Sequence, residues 1–147
     1  MQLSRFSDLG LRVMMRLAVS GAAAERVTVK LVARQMNASE HYIAKAVTKL
    51  AELGLVDSHR GRTGGIFLTD HGRTATVGQI VRGLEGRGEV VECAGTNPCP
   101  LAAACRLRHM LADAQESFYR NLDRYTLGDL VDSRTVQLLY MPEIPER

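Results

Sequence analysis

All three cysteines of this 147-residue chain, Cys93, Cys99 and Cys105, fall in one stretch, E-C-A-G-T-N-P-C-P-L-A-A-A-C, with five residues in each gap. Gly95, Asn97, Pro98 and Pro100 make the stretch turn-rich, so it reads as a loop between two helical halves. Free cysteines are often buried, inert hydrophobes, but a polar loop suits that reading poorly, and an odd count leaves one thiol over in any intramolecular disulfide scheme. Three thiols on an even spacing can instead form three arms of a metal site. Zinc takes tetrahedral sulfur and nitrogen donors, but its usual tight cysteine pair is absent. Iron–sulfur clusters are also held by thiolates and accept wider gaps. Spacing alone leaves both metals open. A fourth ligand has to come from Asp, Glu or His elsewhere, from a second protomer, or from solvent.

An apolar content of 46% is enough for a core. The longest apolar runs fall well short of the roughly 18 residues that span a bilayer, and Arg12 and Arg16 interrupt any N-terminal signal core. A cytoplasmic, reducing compartment is expected, where a cysteine cluster is more often metal-binding than disulfide-bonded. Charge is uneven: residues 1–76 carry 11 Lys/Arg against 6 Asp/Glu, and residues 77–147 carry 8 against 10. A basic front half suggests a module for a polyanion, although a solvated surface with scattered charge would look similar.

The periodicity predicts a mainly α chain with one small β-hairpin. Residues 7–19 read as a helix capped by Ser7, with Asp8 in its first turn and Leu9, Val13 and Leu17 on one face. Gly21 and residues 22–25 read as a loop. Thr28 caps a short helix that ends at Asn37; Ser39 caps the next, over 40–53, with Ile43, Val47 and Leu50 inward and Gly54 as its stop. Two short helices so closely joined form a helix-turn-helix pattern. A strand at 55–59, the turn R-G-R-T-G-G and a returning strand at 66–69 add a wing. Glycine lets backbone approach phosphate or enter a minor groove, and arginine supplies charge and planar donors. The candidate DNA contacts are Thr28, Ser39, His41, Tyr42, Lys45, Thr48 and Lys49, with Arg60, Arg62 and Gly64 on the wing. Thr76 and Gln79 form a capping box for a helix to about residue 84.

Pro100 suits the first turn of a long helix over 101–123, with an apolar row of Leu107, Leu111, Ala114, Phe118 and Leu122 and with Leu101 and Cys105 extending it backwards. So long a helix in a small protein commonly pairs with a copy of itself. A short last helix is expected from Thr126 to about Val131. The organisation is then a winged helix-turn-helix DNA-binding domain at 1–76, a cluster loop and dimerisation helix at 77–132, and a tail at 133–147 without fixed structure. No nucleophile elbow, P-loop or dinucleotide fingerprint occurs, and the four histidines show no metal spacing among themselves, so an enzyme is not expected.

The helix containing F-S-D-L-G-L-R, the motif H-Y-I-A-K-A-V-T-K-L, the wing R-G-R-T-G-G-I-F-L-T and the pattern C-x5-N-P-C-P-x4-C resemble the iron–sulfur transcription regulators of the IscR/NsrR family, over about residues 1–132. The cysteine stretch is most similar to the nitric-oxide-sensing members. The resemblance implies a homodimeric repressor on a roughly palindromic operator, its affinity controlled by one iron–sulfur cluster per protomer, of 4Fe–4S type, on Cys93, Cys99 and Cys105. It implies Asp8, in the F-x-D motif, as fourth ligand to the partner protomer's cluster, with Arg12 one turn later bonding Asp8 or neutralising the cluster. Nitric oxide is the implied signal. The IscR branch places a histidine three residues after its last cysteine; Arg108 stands there in this chain and His109 follows, which disfavours a 2Fe–2S cluster held in that manner. The alternatives are a 2Fe–2S redox or iron–sulfur-status regulator, a zinc-stabilised constitutive DNA-binding protein, and an electron carrier.

Overall fold

The computed structural model describes residues 3–20, 26–86 and 88–140. The loop expected at Gly21 and 22–25 lies outside them. Helix α1 runs Arg5–Val19 and is capped by Ser4, whose hydroxyl accepts from the Ser7 amide at 3.1 Å. The expected cap, Ser7, is instead buried one turn inside the helix and hydrogen-bonded to Ser4 Oγ. Helix α2 (Val29–Gln35) starts at Thr28, which accepts from the Leu31 amide at 3.2 Å. Asn37, with φ 48°, turns the chain into α3 (Glu40–Glu52), capped by Ser39 through the Tyr42 amide at 3.3 Å. Each cap satisfies an amide that the first helical turn leaves without a partner.

Gly54, at φ 70°, ends α3 and leads into strand β1 (Val56–His59). β1 pairs antiparallel with β2 (Gly65–Leu68), Val56 opposite Leu68 and His59 opposite Gly65. A short helix that the sequence reading lacks, α4 (Asp70–Thr74), follows under a Thr69 cap. Helix α5 (Val77–Glu85) opens with the capping box of Thr76 and Gln79. Helix α6 covers Arg106–Leu122, five residues shorter at its start than expected. The extended backbone of Cys105 (φ −81°, ψ 107°) breaks the helix there, and residues 101–104 form turns instead. Leu101 is therefore off the helix and exposed.

The segment after α6 makes a single 3-10 turn, Gly128–Leu130. The tail expected to lack fixed structure from residue 133 is helical over Ser133–Tyr140 (α7), and residues 141–147 lie outside the described set. α7 packs on α1, and its Leu139 carbonyl accepts from Gln35 Nε2 at 2.9 Å.

One main core joins Leu9, Val13, Met14 and Leu17 of α1 to Val32, Ile43, Val47 and Leu50 of the next two helices, to Val56 and Ile66 of the hairpin, and to Ile80 and Leu84 of α5. Burying each such side chain contributes about 1.5–3 kcal/mol. The core thus runs across residue 76. A smaller cluster of Val77, Val81 and Tyr119 seats the C-terminal part of α6 on α5. The N-terminal part of α6 stands away from the core: Leu107 and Met110 are exposed and Leu111 is only partly covered, while Phe118 and Leu122 are partly covered and pack against the small cluster. Leu111, Phe118 and Leu122 line an apolar groove with Leu11, Val77 and Val81.

Candidate nucleic-acid interface and cysteine loop

The apolar face of α3 is fully buried, which fixes its other face outward. Ser39, His41, Tyr42, Lys45 and Thr48 are exposed, and the His41 and Tyr42 rings meet edge to face with centroids 5.9 Å apart. Thr48 Oγ1 donates to the Ala44 carbonyl at 3.0 Å. Lys49 lies at the margin, with Nζ 3.4 Å from Glu52. Thr28 is partly buried, and its hydroxyl is occupied by the cap. On the wing, Arg60 and Arg62 are exposed, whereas Gly64 is buried in the turn. Gly61, at φ 106°, takes a conformation that favours glycine. At Gly64 a Cβ would lie 2.1 Å from the His59 carbonyl, so only glycine closes this turn.

All three cysteines are free thiols, Cys93 buried and the other two partly covered. The loop is drawn together by the Cys99 amide, which donates to the Cys93 carbonyl at 3.2 Å. Cys105 caps α6: its Sγ accepts from the Arg108 amide at 3.4 Å, at the positive end of the helix dipole. Arg108 also reaches back to Glu89, Nε to Oε2 at 2.7 Å and Nη2 to Oε1. This hydrogen bond holds the Glu89 carboxyl below its usual range and pushes the Arg108 guanidinium up, with a lesser push from the nearby Cys93 and Cys105 sulfurs. Among the described residues, no group of three or more His, Cys, Asp or Glu side chains stands close enough together to hold a metal ion. The fold brings the three cysteines into one loop but does not focus them on one point. Their donor chemistry still suits an iron–sulfur cluster: three soft sulfurs, none consumed by a disulfide, with a helix N-terminus and a guanidinium nearby to offset negative charge.

Asp8 lies on the first turn of α1, and Arg12 Nε donates to its Oδ1 at 2.9 Å, with both side chains about half exposed. Of the two roles expected for Arg12, the bond to Asp8 is the one formed within the chain. One turn earlier, the Ser4 amide donates to Glu85 Oε1 at 2.8 Å, tying the start of α1 to the end of α5. Burial pushes the Glu85 carboxyl up, but hydrogen bonds from Ser7 and Ser4 together outweigh it and hold it low. The sequence reading missed Glu89, Glu85 and Arg26, whose guanidinium meets the wing backbone. Each acts across 19 or more residues, and no local pattern marks such a partner.

A family model described as "Rrf2: Iron-dependent Transcriptional regulator" matches residues 3–133. The chain is 50% identical over 139 residues to the HTH-type transcriptional repressor NsrR of Streptomyces coelicolor, covering 95% of this chain and 94% of that protein. It is 39% identical to the HTH-type transcriptional regulator NsrR of Geobacillus kaustophilus, covering 91% and 92%. Among solved structures, IscR of T. potens superposes with a TM-score of 0.68 at 25% identity, covering 97% of this chain and 93% of that one. CymR, the global cysteine regulator of B. subtilis, gives 0.62 at 32% identity, covering 88% and 95%. The exposed face of α3, the arginine-tipped wing and a family match over nearly the whole chain agree: this protein belongs to the Rrf2 family of iron-dependent transcriptional regulators, winged-helix DNA-binding proteins and not enzymes.

Proposed function

We propose that the chain is a cytoplasmic, homodimeric transcriptional repressor whose hold on a roughly palindromic operator is set by an iron–sulfur cluster of 4Fe–4S type, with nitric oxide as the signal. The observation that carries this reading is the set of three free thiols in one loop, the last of them capping α6, in a chain 50% identical to an NsrR repressor. Cys93, Cys99 and Cys105 would hold the cluster, with Asp8 of the partner subunit as fourth ligand. A cluster held there supplies iron that reacts with nitric oxide. A carboxylate is a harder donor than a thiolate, so Asp8 is the weaker of the four arms.

The chain's own residues do the rest. The incompletely covered apolar row of α6 and the groove beside it take the second protomer, which makes α6 the dimer helix. Two α3 helices related by a two-fold axis then enter successive major grooves, with each wing on phosphates or in the adjacent minor groove. Tyr42, Lys45 and Thr48 are the reading residues of α3, and Arg60 and Arg62 those of the wing. Asp8 belongs to the helix that packs chiefly on α3, so fastening or freeing Asp8 moves the reading helix.

The test begins with protein purified without oxygen and assayed for iron, sulfide and zinc. Brown protein with iron and sulfide is expected. It should bind a duplex selected from a random-sequence pool by the unmodified protein, whereas Cys99→Ala should be colourless and bind weakly. Asp8→Ala should keep its fold, because an exposed i,i+4 ion pair contributes only about 0.3–0.5 kcal/mol, yet lose much of its DNA affinity. Colourless, iron-free protein that binds the same duplex at full strength rejects control by a cluster, and stoichiometric zinc in its place makes the metal purely structural.

A further inference from the structure

We propose that Arg26 is the positioning residue of the wing: its guanidinium fixes the backbone of the arginine-bearing turn before DNA arrives. The inference deepens the proposed function and rests on the reading of the wing as a DNA contact. Arg26 Nε donates to the Gly64 carbonyl, Nη1 to the Arg62 carbonyl at 3.0 Å and Nη2 to the Gly61 carbonyl at 2.8 Å. One planar fork therefore engages three carbonyls of a four-residue turn. The turn is also closed on itself, the Gly64 amide donating to the Gly61 carbonyl at 3.0 Å. The stem of Arg26 runs along the foot of the wing, where a Cβ on Gly65 would come within 3.4 Å of Arg26 Cγ. The next residue anchors the same segment, because the Ile66 amide donates to the Val27 carbonyl at 2.8 Å.

A two-stranded hairpin with a glycine-rich tip has little to hold its shape. With carbonyls 61, 62 and 64 all turned toward Arg26, the Arg60 and Arg62 side chains stay exposed. Ordering that turn on binding would otherwise weaken the complex; a turn ordered beforehand avoids the loss. A lysine cannot replace this contact, since an ammonium is a point donor and lacks the fork.

Four variants, compared on the duplex selected by the unmodified protein, decide the matter: Arg26→Ala, Arg26→Lys, the double Arg60→Ala/Arg62→Ala, and the triple that adds Arg26→Ala to the double. Arg26→Ala is expected to weaken binding about tenfold, Arg26→Lys nearly as much, and the triple to bind no more weakly than the double. Exchange of the Gly64 amide should speed up in Arg26→Ala and Arg26→Lys while amides of α1 and α3 keep their protection. Full affinity in Arg26→Lys, or a further loss in the triple, would show Arg26 acting as a charge on phosphate and would overturn the proposal. Unchanged binding by Arg26→Ala, beside a weakened double, overturns it too and leaves the wing as a DNA contact. An unweakened double removes the DNA role of the wing itself, and the proposal with it.

Discussion

Asp123→Ala isolates the joint between α5 and α6. Asp123 Oδ1 accepts from Thr76 Oγ1 at 2.9 Å, and both its oxygens take Arg82 Nη1, at 3.1 and 2.8 Å. Arg82 also bonds Glu116 and lies 5.1 Å from the Tyr119 ring centroid, so the carboxylate anchors a small network. A charge-assisted bond contributes about 1.5–3 kcal/mol when buried. Here each partner's side chain is 32% exposed, and screening cuts the ion pair to about 1 kcal/mol. The threonine bond adds about 1 kcal/mol. The alanine variant should therefore lose roughly 2 kcal/mol, or about 4–8 °C in Tm for a chain of this size.

The pH dependence separates charge from packing. Burial raises the Asp123 carboxyl, but hydrogen bonds from Arg82 and Thr76 and the charge of Arg82 together outweigh it, so its folded pKa is depressed. A depressed folded pKa stabilises the fold above the unfolded pKa, about 3.9, and that stability is lost as pH falls through the folded value. The gap between parent and variant should be full at pH 7 and narrow steadily below about pH 4. Urea melts at matched protein concentration, at pH 7 and at several acid values, measure it directly. Equal stabilities at pH 7 would refute the reasoning, and so would a gap that persists unchanged into acid.

Gly72→Ala should destabilise by about 1–3 kcal/mol in a urea melt, because its Cβ would sit 1.9 Å from the Leu55 carbonyl, in backbone that cannot yield cheaply. Leu107→Glu should leave the far-ultraviolet signal unchanged, since Leu107 is 60% exposed, yet shift sedimentation from dimer to monomer; an unmodified protein that is monomeric at the same concentration contradicts the dimer reading.

Short-range signals made the starts of α2, α3 and α5 legible. Thr28, Ser39 and Thr76 each bond an amide three residues on, a pattern visible in the sequence. The same rule misled at α1, where Ser4 and Ser7 stand at capping distance from each other and only burial of Ser7 decides between them. Cysteine is not a usual cap, so nothing local announced that α6 begins at Cys105. Helix α7 is eight residues long, below the 12–15 or so at which an isolated helix becomes even marginal. It is held by α1 and by Gln35, 104 residues from its acceptor. Spacing and composition pick out the cysteines; the Glu89–Arg108 pair and the Arg26 fork exist only once the chain is folded.

Helix α1 has the properties that coupling between the two halves requires. Its N-terminal turn is tied to the end of α5 by the Ser4–Glu85 bond, and Asp8 is tied within the helix to Arg12. Its inner face is buried with Ile43, Val47 and Leu50, so a displacement at one end is not absorbed by soft packing. Near its other end, buried Arg16 donates through Nε to Gln35 Oε1 at 2.7 Å, and Gln35 is the last residue of α2, at the turn into α3. On the proposed reading, a force on Asp8 is therefore delivered to both helices of the DNA-reading pair through contacts that cannot slide independently. The demand on this linkage is small: a misplacement of α3 worth about 1.4 kcal/mol weakens DNA binding tenfold. Gln35→Ala removes the Arg16–Gln35 arm of that linkage, along with the bond to the Leu139 carbonyl, without touching Asp8, the thiols or the exposed face of α3. If α1 transmits the signal through Gln35, this variant should bind DNA with an affinity that differs less between cluster-containing and cluster-free protein than in the parent; an unchanged difference would leave the packing of α1 on α3 as the route.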